Sequence, residues 1–343
     1  MAQQNQKEIA PVKAEIKDIK RSSNSVYSKL LCNNAIVCCW AEHGQIYKSW
    51  SDRYSKHSDN SFCLVPRSNA TDKDKTVQFL IERFGISNPD LFKSKYYEAI
   101  SGNGQELRRI STLHSSSLLA LLCFYDVTLD HPLSFLGYTF TDSYFEVKTA
   151  VPKSRPSNMD IVLRGKEDNT GRKVVLFLES KFSEYLETGK YEGISSKVYG
   201  GTYKELNLFD NPVSPLRFEN NGAYITISSE KNHYYCGGIK QMISHYIGVS
   251  NYSAKKEKAL SSHAKFKFSK DEDIILAEIM FQLPKEVDKM DRFGKYKEIY
   301  RQLAERINDG KKLKMLDRVI SYQEIFKGKD FFKEDIIRQF YGF

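Results

Sequence analysis

Long apolar runs are missing from this chain of 343 residues. The longest, LLALLCF around Leu121 and IILAEIMFQL from Ile274, fall well short of a bilayer span, so no transmembrane helix is expected. The first twenty residues, MAQQNQKEIAPVKAEIKDIK, are polar and lack the apolar centre of a secretory signal, which predicts a cytoplasmic protein. No C-x-x-C pair occurs among Cys32, Cys38, Cys39, Cys63, Cys123 and Cys236; reduced, mostly buried thiols are expected, not zinc ligands or disulfides. The histidines show neither H-x-x-x-H nor H-N-H spacing, which argues against a zinc site or a histidine-based nuclease. There is no G-x-x-x-x-G-K-[ST] string, so an ATP-driven motor is not expected. Internal repeats are absent too.

What is present suits a globular protein with a polyanionic partner. Hydrophobic residues make up 41% of the chain and aromatics 13%, enough to bury a large core. The formal net charge is +9, which favours nucleic acid as a partner. Residues 1–25 are rich in Lys, Glu, Gln and Ser and read as a mobile lead-in. A denser N-terminal region follows over 26–100, with VYSKLL, AIVCCW and VQFLIERFGI as core-forming pieces. The turn-rich SGNGQE around Gly104 marks a break after it.

Beyond that break the periodicity is legible. STLHSSSLLALLCFYDV reads as a helix with Leu118, Leu119, Leu121 and Leu122 as its apolar stripe and Ser115 to Ser117 as candidate caps. YFEVKTAV, MDIVLRG and KVVLFLESKF read as three strands, the last two joined by the turn EDNTGR. GGIKQMISHYIGV has helical spacing, IILAEIMFQLP is a buried strand, KYKEIYRQLAERIND is an amphipathic helix, and LDRVISYQEIF runs from strand into helix. The glycine pairs of GGTYKELN and YCGGIK read as turns rather than phosphate cradles. The order predicts an α/β sheet with helices packed on it.

The chemistry sits where the third strand ends. Residues two apart on a strand share a face, so Glu179 and Lys181 project together after the run VVLFL, and Ser180 points away. If MDIVLRG is the antiparallel neighbour, its first polar residue, Asp160, lies beside them. Two converging carboxylates repel unless a cation lies between them, and Mg²⁺ is commonly held by one or two carboxylates plus waters and phosphate oxygens. Mn²⁺ is expected to substitute. Lys181 adds a positive charge suited to positioning a water at a scissile phosphate. E-x-K also occurs at Glu15-Ile16-Lys17 and Glu146-Val147-Lys148, but only Glu179-Ser180-Lys181 ends a long apolar run. A hairpin whose polar ends are simply solvated would give the same string. Glu184 could pair with Lys181 or tune its charge, or remain a surface carboxylate.

HSSSLLALLCF, RPSNMDIVL, LFLESKFSEYL, GGIKQMISHYIG and VISYQEIF occur in an order that resembles the PD-(D/E)XK nuclease superfamily, most closely a bacterial restriction-endonuclease-like branch. The resemblance covers about residues 105 to 343. It implies a restriction-endonuclease-like core of helix, three strands, helix and strand, with an extra C-terminal helix and strand, in a nuclease domain over 101–343. It further implies that Asp160 and Glu179 bind Mg²⁺, that the Ser180 backbone carbonyl completes the metal shell, and that Lys181 positions the attacking water. Gln241 matches a helix residue that supports the site in related nucleases. Those relatives usually carry a Tyr four residues later, where this chain has His245, followed by Tyr246. Many relatives also supply a Glu from the first helix, for which Glu106 is the nearest candidate here.

The function expected from these readings is Mg²⁺-dependent hydrolysis of phosphodiester bonds by a DNA endonuclease in defence or genome maintenance. The alternative is a catalytically silent DNA- or protein-binding module on the same fold. NYSAKKEKALSSHAKFKFSK from Asn251, GKYKEIYRQ and GKKLKMLDR are basic with aromatics interleaved and suit phosphate contacts. Target recognition is expected from residues 26–100. Cutting both strands needs two sites, so a homodimer is expected.

Overall fold

The computed structural model describes residues 72–343 except 103–105, 112–114, 183, 187–188, 231–233, 255–264, 268, 270, 284–287, 289, 310–312 and 342. It also describes an antiparallel pair of two-residue strands, Ser55–Lys56 and Phe62–Cys63. The lead-in, VYSKLL, AIVCCW, and Cys32, Cys38 and Cys39 lie outside the described residues. So do residues 255–264, the lysine-rich part of the segment from Asn251. Among the described residues no helix is long and apolar enough to cross a membrane. Cys123 and Cys236 are free thiols, both buried, as expected.

Two compact units are formed. One takes the described residues up to Tyr125, then Phe281–Val287 and Tyr322–Phe343; the other takes Asp126–Met280 and Asp288–Ser321. The first unit opens with α1 (Lys73–Phe84) and α2 (Pro89–Ala99). Asp72 caps α1 by accepting from the amides of Asp74 and Lys75, and Gly85 ends it with φ +61°, a conformation that favours glycine. A short turn, Glu106–Arg109, precedes α3 (Ser116–Phe124). Ser115 caps α3, accepting from the Leu118 amide at 3.0 Å. Every α3 residue from Leu118 to Phe124 is buried, so the expected stripe extends all round the helix.

The second unit carries the sheet. Its strands are β1 (Leu133–Phe135), β2 (Tyr138–Thr149), β3 (Ser157–Glu167) and β4 (Lys173–Lys181). Next come β5 (Tyr191–Ser195), α4 (Ser196–Glu205), β6 (Leu216–Asn220), β7 (Tyr224–Ser229) and α5 (Gly237–Ser253). The unit continues with β8 (Asp273–Met280), α6 (Arg292–Asp309), β9 (Lys314–Met315) and β10 (Ile320–Ser321). The first unit then closes the chain with α7 (Tyr322–Phe326) and α8 (Asp335–Tyr341).

The main sheet is mixed, in the order β9-β8-β4-β3-β2-β1 with β10 also on β8. β1, β2, β3 and β4 pair antiparallel in succession, and β8 lies parallel to β4, β9 and β10. The architecture is therefore α/β, as the periodicity predicted. β4 is central and buried from Val174 to its end, which explains its unbroken apolar run. Gly248 lets α5 approach the sheet: a Cβ there would meet Thr149 Oγ1 at 2.1 Å.

The sequence reading missed the segment between β4 and α5. β5, β7 and β6 form a separate three-stranded antiparallel sheet, with α4 between β5 and β6. Gly200 and Gly201, read as a turn, lie inside α4. Tyr199 and Tyr203, one helical turn apart and both buried, anchor that helix and override its two glycines. Gly237 and Gly238, read as a second turn, open α5.

Candidate functional site

The ends of β3 and β4 meet as the period-2 argument requires. The last paired residues are Ile161 and Leu178; one step beyond, Asp160 stands across from Glu179. There the ladder changes character, because the Asp160 side chain accepts the Ser180 amide at 2.7 Å (Oδ2). Glu179 and Lys181 are 2% and 6% exposed, so the solvated-hairpin reading does not hold. Lys181 donates to Glu179 Oε1 in a buried ion pair.

Two residues of α5 complete the setting of Glu179. Gln241 Nε2 donates to Glu179 Oε1 at 3.1 Å, and His245 Nε2 lies 2.8 Å from Oε2. Residues four apart share a helix face, so α5 presents both to the same carboxylate. The His245 Nδ1 atom lies 2.6 Å from the Ser157 hydroxyl at the start of β3. His245 stands between the Glu179 carboxylate and the Ser157 hydroxyl, with one ring nitrogen toward each. His245 thus reaches the site, and the adjacent Tyr246 is buried.

Two more carboxylates border the pair. Glu146 of β2 lies between residues registered with Ile161 and Met159, has φ +51°, and accepts from Asn158 Nδ2 at 3.2 Å. A left-handed backbone at a buried Glu is strained and is retained only where surrounding contacts hold it. Glu278 of β8 is in parallel register with Glu179, so both side chains leave the same face. It has no exposed surface and accepts from the Tyr296 hydroxyl at 2.8 Å.

The electrostatics follow from burial and neighbours. Burial, with Glu179 and Glu146 adding repulsion, holds the Asp160 carboxyl well above the ordinary range. Burial also opposes the charge on Glu179, but Lys181 and His245 outweigh it and bring Glu179 down to about 2. Lys181 is raised well above its ordinary value, since Glu179 more than offsets the desolvation of its ammonium. Burial pushes Glu278 up to about 8 against the pull of Lys181. The pair Glu179–Lys181 stays charged at neutral pH, with a reluctant carboxyl on each side.

Asp160, Glu179, Ser180, Lys181 and Gln241 are therefore brought together at one sheet end. Glu106 heads the short turn Glu106–Arg109 of the other unit. Glu184 accepts the Phe182 amide of its own turn. Sequence reasoning missed His245, Glu146 and Glu278 as members of the cluster. Their signals were the four-residue spacing from Gln241, the E-x-K string set aside in β2, and a lone acid inside IILAEIMFQL.

The donor set can be tested against a metal ion. Among the described residues no group of three or more His, Cys, Asp and Glu is disposed to hold one. A hard cation such as Mg²⁺ needs only one or two carboxylates with waters and substrate oxygens, and Asp160 with Glu179 supplies that. The ammonium on Glu179 shows that this carboxylate already attracts a cation. The oxygen-only pair suits Mg²⁺ or Mn²⁺ better than zinc. No family model, no curated protein and no solved structure matched the chain.

Proposed function

We propose that this protein is a Mg²⁺-dependent deoxyribonuclease with a restriction-endonuclease-like core, hydrolysing phosphodiester bonds in defence or genome maintenance. The observation that carries the reading is the juxtaposition of Asp160 and Glu179 across adjacent strands with the Lys181 ammonium on Glu179, beneath a helix that brings Gln241 to the same carboxylate. Asp160, Glu179 and the Ser180 carbonyl would hold the cation, which supplies charge to the phosphoryl oxygens and acidity to water. Gln241 and His245 fix the Glu179 carboxylate from the helix side. Lys181, free of Glu179 when a cation takes that position, orients the attacking water and stabilises charge developing on the phosphate. DNA is held by basic residues elsewhere, and a homodimer supplies the second site for cutting both strands.

Lys181→Ala separates chemistry from binding. One ammonium among many basic residues adds little to the summed phosphate contacts, so DNA affinity with Ca²⁺ in place of Mg²⁺ should change by less than about fivefold. Plasmid nicking with Mg²⁺, abolished by EDTA in the wild type, should fall on the order of a hundredfold or more. Wild-type cutting rates from Lys181→Ala would remove Lys181 from the chemistry. DNA binding without Mg²⁺-dependent nicking by the wild type would favour a silent binding module.

A further inference from the structure

Glu278 is a buried carboxyl for which the proposed hydrolysis has no use. Oε2 accepts from Tyr296, while Oε1 is buried without a hydrogen-bond partner. Leaving such an atom unpaired costs about 1–3 kcal/mol, so its burial calls for a reason. Glu278 is registered with Glu179, and Lys181 with Met280, two residues further along the same strand. The Lys181 side chain thus leaves the sheet diagonally across from Glu278, on the same face. Burial holds the Glu278 carboxyl high, and Lys181 is the first charge opposing it.

Tyr296 holds Glu278 in place, and α5 leaves room for it. A Cβ on Gly238 would meet the Tyr296 hydroxyl at 2.2 Å, so the bond between Tyr296 and Glu278 depends on a bare backbone at position 238. The Tyr235 ring packs 5.5 Å from that of Tyr296. The free oxygen therefore belongs to a fixed acceptor.

We propose that Glu278 is a positioning residue for Lys181: when a divalent cation takes the Glu179 carboxylate, the Lys181 ammonium transfers to Glu278 Oε1 instead of leaving the site. This rests on the reading of Asp160 and Glu179 as a cation site. The Glu179 oxygens already face Gln241 and His245, so a cation there must displace the ammonium. An ammonium driven off without an acceptor would be buried and unpaired, at a cost that weakens cation binding. With Glu278, a neutral carboxyl whose carbonyl oxygen can accept it, the ammonium passes to the neighbouring strand, no covalent bond changes, and it remains where a phosphate would need it.

The test is Mn²⁺ binding to the full chain by titration calorimetry in a double-mutant cycle. Glu278→Met should weaken Mn²⁺ binding on the order of tenfold, the worth of one charge-assisted hydrogen bond. Glu278→Gln keeps an acceptor oxygen and should stay within about threefold of wild type. In the Lys181→Met background, with no ammonium to rehouse, Glu278→Met should change Mn²⁺ affinity by less than about twofold. Equal weakening in both backgrounds would make Glu278 a merely structural residue and overturn the proposal, as would no weakening in either. Should Glu278→Met fail to fold, a Mn²⁺-bound wild-type crystal decides. Lys181 Nζ within hydrogen-bond distance of Glu278 Oε1 supports the transfer, and Nζ still on Glu179 overturns it. A wild type that binds no Mn²⁺ would instead remove the cation site itself, and the proposal with it.

Discussion

Replacing Lys181 by Met keeps most of the side-chain volume and removes the charge, which isolates the ion pair it makes with Glu179. Both partners are almost fully buried, and breaking such a pair from one side costs about 3–5 kcal/mol because the remaining charge is left desolvated. Gln241 and His245 still reach Glu179, so the lower end, about 3 kcal/mol at pH 7, is expected. The pH dependence has a definite sign. Glu179 is depressed from 4.5 to about 2 in the folded state, so its contribution is present above about pH 4.5 and is lost as pH falls towards 2. With the ammonium gone that contribution shrinks, so the deficit of Lys181→Met should be full at pH 7 and smaller at pH 4. Urea unfolding followed by circular dichroism at the two pH values measures it. The double variant Glu179→Gln, Lys181→Met should recover most of the loss, since neither charge is stranded. A Lys181→Met variant within about 0.5 kcal/mol of wild type at pH 7 would refute a buried pair.

Glu278 gives the opposite slope. Its folded-state value of about 8 lies above its ordinary 4.5, so the folded protein holds a proton that the unfolded chain has released, and stability should fall as pH rises through that window. Glu278→Gln should remove this part of the slope in thermal melts between pH 5 and 8; an unchanged slope would place the titration elsewhere. Gly238→Ala should cost about 1–3 kcal/mol because the new methyl must displace the Tyr296 hydroxyl. Gly201→Ala, within α4 with nothing inside 4 Å of the added Cβ, should be neutral or stabilising by up to about 1 kcal/mol in the same melts.

The legible parts were those set by period and register. VVLFLESK shows an apolar run ending in two charged residues that share a face, and the short turn EDNTGR ties that end to the start of the preceding strand. Asp160, Glu179 and Lys181 could therefore be grouped before any coordinates. His245 escaped because histidines were read for zinc spacing and for a missing Tyr, while the helical i, i+4 relation to Gln241 already placed it on the same carboxylate. Glu278 escaped because an apolar run identifies a buried strand without saying which acid inside it finds a partner. The partner, Tyr296, comes from a helix that begins twelve residues after β8 ends. Glu146 depends on a left-handed backbone in β2, which no local glycine announces. The β5–β7 sheet was missed because its strands are only five or six residues long and its helix contains two glycines; tertiary burial of Tyr199 and Tyr203 outweighs that local preference.

The central claim is that Asp160 and Glu179 share a divalent cation. Crystals soaked in Mn²⁺ and measured at the manganese absorption edge test it directly. The account predicts an anomalous peak between the two carboxylates, within about 2.4 Å of an oxygen from each, with the Lys181 ammonium displaced from Glu179. A peak confined to other sites at saturating Mn²⁺, with Lys181 still bonded to Glu179, would contradict it.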